Sequence, residues 1–253
     1  MFRKFFAVIL YAILCSFAAC GKIIPATEPQ SKIIAKDKVV LIGKFIPPEN
    51  PQKLTFILLH GLASGKGEWY GFADKLAGLG YGCLAVDMRG HGESCKNADG
   101  SALDVKYFGW PGPGSEWSMM TEDVDAMAKY LVSKRGINKN RIAVAGASVG
   151  ANIALIYAAG HKSVPLVILL SPGLDYAGFL TVPAMTEYGG RPVLLAASPG
   201  DSYAYGSSMR LMEIAKENGS PAVFFEGRLA RHGVQMFDGK FEDGILKWID
   251  SHN

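Results

Sequence analysis

Gly146-Ala147-Ser148-Val149-Gly150 sets a serine between two glycines at a spacing that suits a nucleophile. A serine hydroxyl attacks a carbonyl carbon only when a neighbouring base takes its proton, so the context must supply both a turn and a base. The turn is legible in the flanks. Arg141-Ile142-Ala143-Val144-Ala145 is a short apolar run, the pattern of a buried strand. Residues 151–159, Ala-Asn-Ile-Ala-Leu-Ile-Tyr-Ala-Ala, are helix formers with an apolar face. Strand, tight turn and helix form a nucleophile elbow, in which glycines at 146 and 150 avoid collisions and the serine stands out at the sheet edge.

Partners for Ser148 are sought where parallel sheets bind ligands, beyond the carboxyl ends of strands. Asp201 follows an apolar run at 192–197 through Ser198-Pro199-Gly200, and His232 follows another at 222–225. An imidazole titrates near neutral pH, with an unperturbed pKa of about 6.5, and suits the role of base. A carboxylate behind it fixes the tautomer and stabilises the imidazolium that forms. Asp175 also follows a strand and is the rival acid. His60 and His91 read as braces of their loops, while His161 and His252 lie at a helix end and at the terminus.

These residues need a frame. Apolar runs at 38–45, 54–59, 82–86, 141–145, 164–170, 192–197 and 222–225 predict strands. Helical patterns cover about 68–79, 119–134 (with Ser118 as cap), 151–159, 205–217 and 241–249. Alternation of strands and helices predicts an α/β fold with a mostly parallel central sheet covered on both faces.

The order Ser148, Asp201, His232 and the segments Leu58-Leu59-His60-Gly61-Leu62 and Asp87-Met88-Arg89-Gly90-His91-Gly92-Glu93-Ser94 resemble the α/β-hydrolase fold, over residues 38 to 252. His232-Gly233 with Met236-Phe237 is similar to dienelactone hydrolase-like proteins. Arg89-Gly90-His91-Gly92 is equally at home in monoacylglycerol lipase-like esterases, so the subfamily stays open. The resemblance implies a serine hydrolase that cleaves carboxylic esters of small molecules through an acyl-enzyme. The oxyanion would be held by the backbone N–H groups of Leu62 and Val149. Asp87 and Arg89 are expected to hold the loop after their strand. No cofactor and no metal is expected, since neither Cys nor His pairs have ligand spacing. Two alternatives remain: a peptidase or other acyl-transfer enzyme using the same three residues, and a non-catalytic envelope protein that uses the fold to bind.

Two superficial phosphate signatures fail. Residues 61–67 have the wrong spacing for a P-loop and lack Ser or Thr after Lys66, and Gly80-Tyr81-Gly82 precedes a strand instead of following one. Only about twenty residues separate the strand ending at Leu170 from the one starting at Pro192, so no bulky lid is expected there. Residues 96–117, with Tyr107, Phe108, Trp110 and Trp117, are either a pocket wall or a surface loop. Tyr203 and Tyr205 could reach the site.

The first nineteen residues are set apart. Arg3 and Lys4 precede an apolar stretch from Phe5 to Phe17, too short to span a bilayer comfortably, and Phe17-Ala18-Ala19-Cys20 resembles a lipobox. Residues 1–19 are thus expected to be a lipoprotein-type signal peptide, Cys20 the lipidation site and membrane anchor, 20–37 a tether, and 38–253 the hydrolase domain. The expected location is the cell envelope, with a secreted soluble form as the alternative. The chain has 26 Lys+Arg and 23 Asp+Glu; without Arg3 and Lys4 the balance is 24 against 23, a net of +1. That near balance gives no case for nucleic-acid binding. Cys83 and Cys95 could pair across a short loop, or Cys83 could be a buried thiol in its strand.

Overall fold

The β-branched and aliphatic runs form a nine-stranded sheet in the computed structural model, which describes residues 30–253. Eight strands make its path: β1 (Ser31–Ile34), β2 (Val39–Ile46), β3 (Thr55–Leu59), β4 (Gly82–Asp87), β5 (Ile142–Ala147), β6 (Val167–Leu170), β7 (Val193–Ala197) and β8 (Ala222–Glu226). Their order is β1-β2-β4-β3-β5-β6-β7-β8, and the short Lys96–Asn97 pairs with β2. From β4 to β8 every pairing is parallel, while β2 runs antiparallel to both β1 and β4. The mostly parallel α/β architecture expected from the alternation of elements is present.

Both faces of the central strands are buried, which is why their sequences read as unbroken apolar runs. Ile57 and Leu59 of β3 pack with Val144 of β5 beneath α2 (Glu116–Arg135), α3 (Val149–Gly160), α4 (Thr181–Tyr188) and α5 (Ser202–Glu217). Phe56 and Leu58 face the other way, with Ala143 and Ala145, onto α1 (Tyr70–Gly78) and α6 (Lys240–Asp250). The chain leaves β3 toward β4 on one side and β5 lies on the other. The order therefore reverses at β3, and a crevice opens at the carboxyl ends of β3 and β5.

Several boundaries differ from expectation. The stretch 20–37, expected to be a tether, is folded from Ser31 onward, because Ser31–Ile34 finds unpaired backbone groups on β2 and buries Ser31 and Ile33. Residues 1–19 and Cys20, expected to be a signal peptide and a lipidation site, lie outside the described residues. Helix α2 begins earlier than expected: Ser115, not Ser118, is its cap, with the Ser115 side chain accepting from the Ser118 N–H. The segment 171–191 contains no bulky lid, but it does hold a two-strand hairpin (Asp175–Tyr176 with Phe179–Leu180) and the short helix α4. Cys83 sits buried within β4, and Cys95 carries a half-buried free thiol.

Candidate active site

Ser148 lies between β5 and α3 with φ 56° and ψ −124°, a left-handed backbone conformation that a non-glycine residue adopts only at a cost of about 1–3 kcal/mol. Its neighbours show why the turn needs glycines. A Cβ on Gly146 would lie 2.1 Å from the Gly150 carbonyl oxygen, and one on Gly150 would lie 2.4 Å from the Leu59 carbonyl oxygen. The Ser148 N–H donates to the Leu170 carbonyl at 2.8 Å, which ties the elbow to β6.

Asp201 stands after β7, at the start of α5, and His232 in the loop after β8. The His232 Nδ1 is 2.5 Å from Asp201 Oδ2, so the imidazole donates from Nδ1 and leaves Nε2 as the acceptor. This is the tautomer a serine base requires. The loop is seated on the elbow: Gly233 packs 3.1 Å from the Ala147 side chain, measured from an added Cβ, and its N–H donates to Ser171 Oγ at 2.8 Å. Asp175 is engaged elsewhere, its carboxylate accepting from the Gly178 N–H at 2.8 Å. The structure thus places Asp201, and not Asp175, against His232.

The loop after β3 closes the other side. Gly61 lies against Ser148, where an added Cβ would be 3.5 Å from the serine Cβ. Among the described residues no acceptor pairs with the backbone N–H of Leu62 or of Val149, so both expected oxyanion donors are unspent. The Gly61 N–H, by contrast, donates to Glu68 Oε1 at 3.0 Å, and the Ser64 hydroxyl donates to the other Glu68 oxygen. Burial raises the Glu68 pKa against the effect of those two hydrogen bonds, and the carboxylate acts electrostatically on His232. Glu68 looked in the sequence like the start of a helix; nothing in its spacing from His60 marked it as the anchor of this loop.

Charged and aromatic groups behind the crevice hold these loops. Lys66 is buried with its ammonium 2.6 Å from Asp87 and 2.5 Å from Glu93. Arg89 is fully buried and bonds Asp123 through two nitrogens at 2.7 Å, with Asp37 and Glu116 on Nη1. The roles of Asp87 and Arg89 as loop supports follow directly. His60 donates from Nδ1 to the Gly61 carbonyl and accepts the Met88 N–H at Nε2. Burial pushes its pKa down to about 4, so it is a neutral brace. His91 stacks edge-on against it at 4.9 Å and bonds the Arg89 carbonyl.

Tyr176, which sequence reasoning passed over, belongs to the site. Its ring meets His232 edge-on at 6.5 Å and Tyr203 at 5.5 Å. Tyr203 reaches the site only through this contact, and Tyr205 turns away to Glu226 and Phe224. The aromatic loop 96–117 divides: Phe108 and Trp117 pack on each other and on the core, whereas Tyr107 and Trp110 are exposed. Among the described residues no group of His, Cys, Asp and Glu could hold a metal.

The arrangement has counterparts. The family described as serine aminopeptidase, S33 (Hydrolase_4) matches residues 50–191, which include His60-Gly61 and Ser148 but stop short of Asp201 and His232. No curated protein matches by sequence. Among solved structures, an esterase of Pyrococcus furiosus is similar with a TM-score of 0.68 and 20% identity, over 88% of this chain and 92% of that one. A Bacillus cereus carboxylesterase gives 0.63 and 15% identity, over 84% and 95%. A dienelactone hydrolase from Anabaena variabilis also gives 0.63 and 15%, over 88% and 96%. At such identities these likenesses establish the fold, and the family match spans more than half of the sequence. The chain belongs to the serine aminopeptidase S33 family and has the α/β-hydrolase fold.

Proposed function

We propose that the protein is a serine hydrolase that cleaves carboxylic esters of small molecules through an acyl-Ser148 intermediate. The observation that carries this reading is the His232–Asp201 pair, seated on a strained serine elbow beside two unspent backbone N–H groups. Attack by Ser148 Oγ on the ester carbon passes its proton to His232 Nε2. The carbonyl oxygen, now negative, enters the space between the Leu62 and Val149 N–H groups. Collapse expels the alcohol, which takes the proton from His232. A water then repeats the sequence and frees the acid.

The esterase, carboxylesterase and dienelactone hydrolase names of the similar structures favour esters. The family description favours a second reading, cleavage of an amino-terminal residue from a peptide. Such a substrate presents an α-ammonium, which needs a carboxylate to receive it. The two carboxylates that act on His232 are already committed, Asp201 to the imidazole and Glu68 to Gly61 and Ser64. This favours the ester.

Hydrolysis of p-nitrophenyl esters of graded acyl length, set beside aminoacyl-p-nitroanilides, decides between the two. Turnover of the esters should fall about 10⁴- to 10⁶-fold in Ser148→Ala and by roughly 10⁴ in Asp201→Asn. Activity that survives Ser148→Ala in pure protein rejects the assignment. Faster cleavage of the anilides would transfer it to the peptidase.

A further inference from the structure

Among the described residues nine large apolar side chains are exposed, and six of them stand at one end of the sheet. Leu62 lies in the loop after β3, Tyr107 and Trp110 in the segment after β4, and Leu180 in the hairpin after β6. Tyr203 starts α5 after β7, and Leu229 lies in the loop after β8. These are the carboxyl ends where the crevice opens, so the six form a rim to it. Trp110 is 94% exposed and Leu229 78%. The backbone beneath them is held. Leu229 keeps φ 61°, uncommon for a residue with a side chain, and its carbonyl accepts the Gly200 N–H at 2.9 Å. The Gly109 carbonyl, beside Trp110, accepts the Trp117 indole N–H at 2.9 Å. The hairpin that presents Leu180 is tied to α3 by Asn152, which donates to the Phe179 carbonyl at 2.8 Å and accepts the Gly173 N–H at 3.0 Å. The Thr181 hydroxyl donates to the Gly173 carbonyl at 2.7 Å, and Ser207 of α5 accepts the Leu174 N–H.

We propose that this rim docks on a phospholipid surface, from which the crevice draws its ester. The proposal rests on the acyl-Ser148 reading above and narrows its substrates to esters dissolved in a lipid layer. The distribution of the side chains favours lipid as the occupant. They stand singly on separate loops around an open mouth, where a fluid layer can receive each one and still deliver substrate between them. A rigid protein face would seal the mouth. The chemistry of the rim agrees. Trp110 and Tyr107 join an apolar ring to a polar N–H or O–H, the kind of side chain that settles at headgroup level. Arg228, exposed, and Arg231, half-buried, flank Leu229 with guanidinium groups that match lipid phosphates. The chain also enters the fold at this end. Ser31 lies opposite Gly43, and Gly43 opposite Val86 near the carboxyl end of β4. Gln30 donates to Glu93, in the loop after β4, at 2.8 and 3.0 Å. Cys20 precedes Gln30 by ten positions, a reach of at most about 36 Å, so a lipid carried there would hold this rim toward its membrane.

Quenching by brominated lipid tests the docking without reference to turnover. The full chain is mixed with phosphatidylcholine vesicles whose acyl chains carry bromine, which quenches an indole in contact with it. The expected result is loss of part of the tryptophan emission, and most of that loss should vanish in Trp110→Phe. A second measurement reads the substrate class. Hydrolysis of p-nitrophenyl laurate carried in the same vesicles should fall roughly tenfold in Trp110→Ser combined with Leu229→Asn. Turnover of dissolved p-nitrophenyl acetate should stay within about twofold of the wild type, because asparagine suits the left-handed backbone at 229 and position 110 is exposed. Emission that vesicles leave unchanged, or quenching that Trp110→Phe does not reduce, overturns the docking. Equal losses on laurate and acetate overturn the substrate class. A lipid-free dimer that the double substitution splits would assign the rim to a second copy of the chain and overturn the proposal. If the wild type neither hydrolyses acetate nor labels with a fluorophosphonate, the acyl-Ser148 reading falls and the substrate class with it, while the quenching still decides the docking.

Discussion

At the scale of single residues, the crevice separates two kinds of histidine. His232 is partly exposed and paired with a carboxylate, whereas His60 is fully buried and spends both nitrogens on backbone partners. A buried neutral imidazole must charge when the chain unfolds in acid. Its pKa is about 4 in the folded state against 6.5 unfolded, so between these values the unfolded chain binds more protons. Stability from this source is complete above pH 6.5 and declines as the pH falls toward 4, by on the order of 3 kcal/mol. Asp37 and Glu93 add to acid sensitivity in a lower window, since their pKa values are depressed below 3.8 and 4.5. His60→Gln should be less stable at pH 7 yet lose less on going from pH 6.5 to 4.5. Urea denaturation of both proteins at several pH values gives the difference, and parallel profiles would show that His60 is not the group responsible.

At the scale of elements, legibility followed the kind of information each residue carries. Ser148 was readable because its two glycines and flanking strand and helix are local in sequence. Asp201 and His232 were readable because each lies just past an apolar strand, where parallel sheets open. Glu68 and Tyr176 were not readable, because their places depend on contacts that no spacing encodes: a carboxylate turned back to Gly61, and a ring carried against His232 by a hairpin. Helix α4 also escaped, since Thr-Val-Pro-Ala-Met-Thr-Glu-Tyr is short and holds Pro183 in its first turn, where proline is tolerated. The β1 strand escaped because only its antiparallel partner β2 makes Ser31–Ile34 extended. Asn152 is the clearest case of an element-level device, linking α3 to the hairpin by two buried hydrogen bonds. Asn152→Ala should strand the Gly173 N–H and the Phe179 carbonyl and cost about 1–3 kcal/mol. Its urea midpoint should drop with an unchanged slope, and a midpoint equal to wild type would mean that the hairpin is held by other contacts.

At the scale of the whole molecule, the site sits where two independent bracing systems meet. On the β6 side, polar groups are neutral and local. On the β4 side, a charged hub joins distant parts of the chain: Arg89 links the loop after β4 to α2 through Asp123 and Glu116, and to the β1–β2 turn through Asp37. Burial works against the guanidinium charge, but its hydrogen bonds to Asp123, Asp37 and Glu116 outweigh this and raise its pKa. It remains charged at any accessible pH. A buried ion pair is weak evidence for net stability, because the attraction must first offset the desolvation of both partners. Removing one partner is a different matter. Arg89→Met leaves Asp123 buried without its counter-charge and should cost about 3–5 kcal/mol, whereas Arg89→Met combined with Asp123→Leu should regain much of that loss. Thermal or urea unfolding of the two single variants and the double variant measures the coupling. If the double variant is no more stable than Arg89→Met, the hub matters for holding the loops of the crevice in register, and the stranded charge is not the source of the loss.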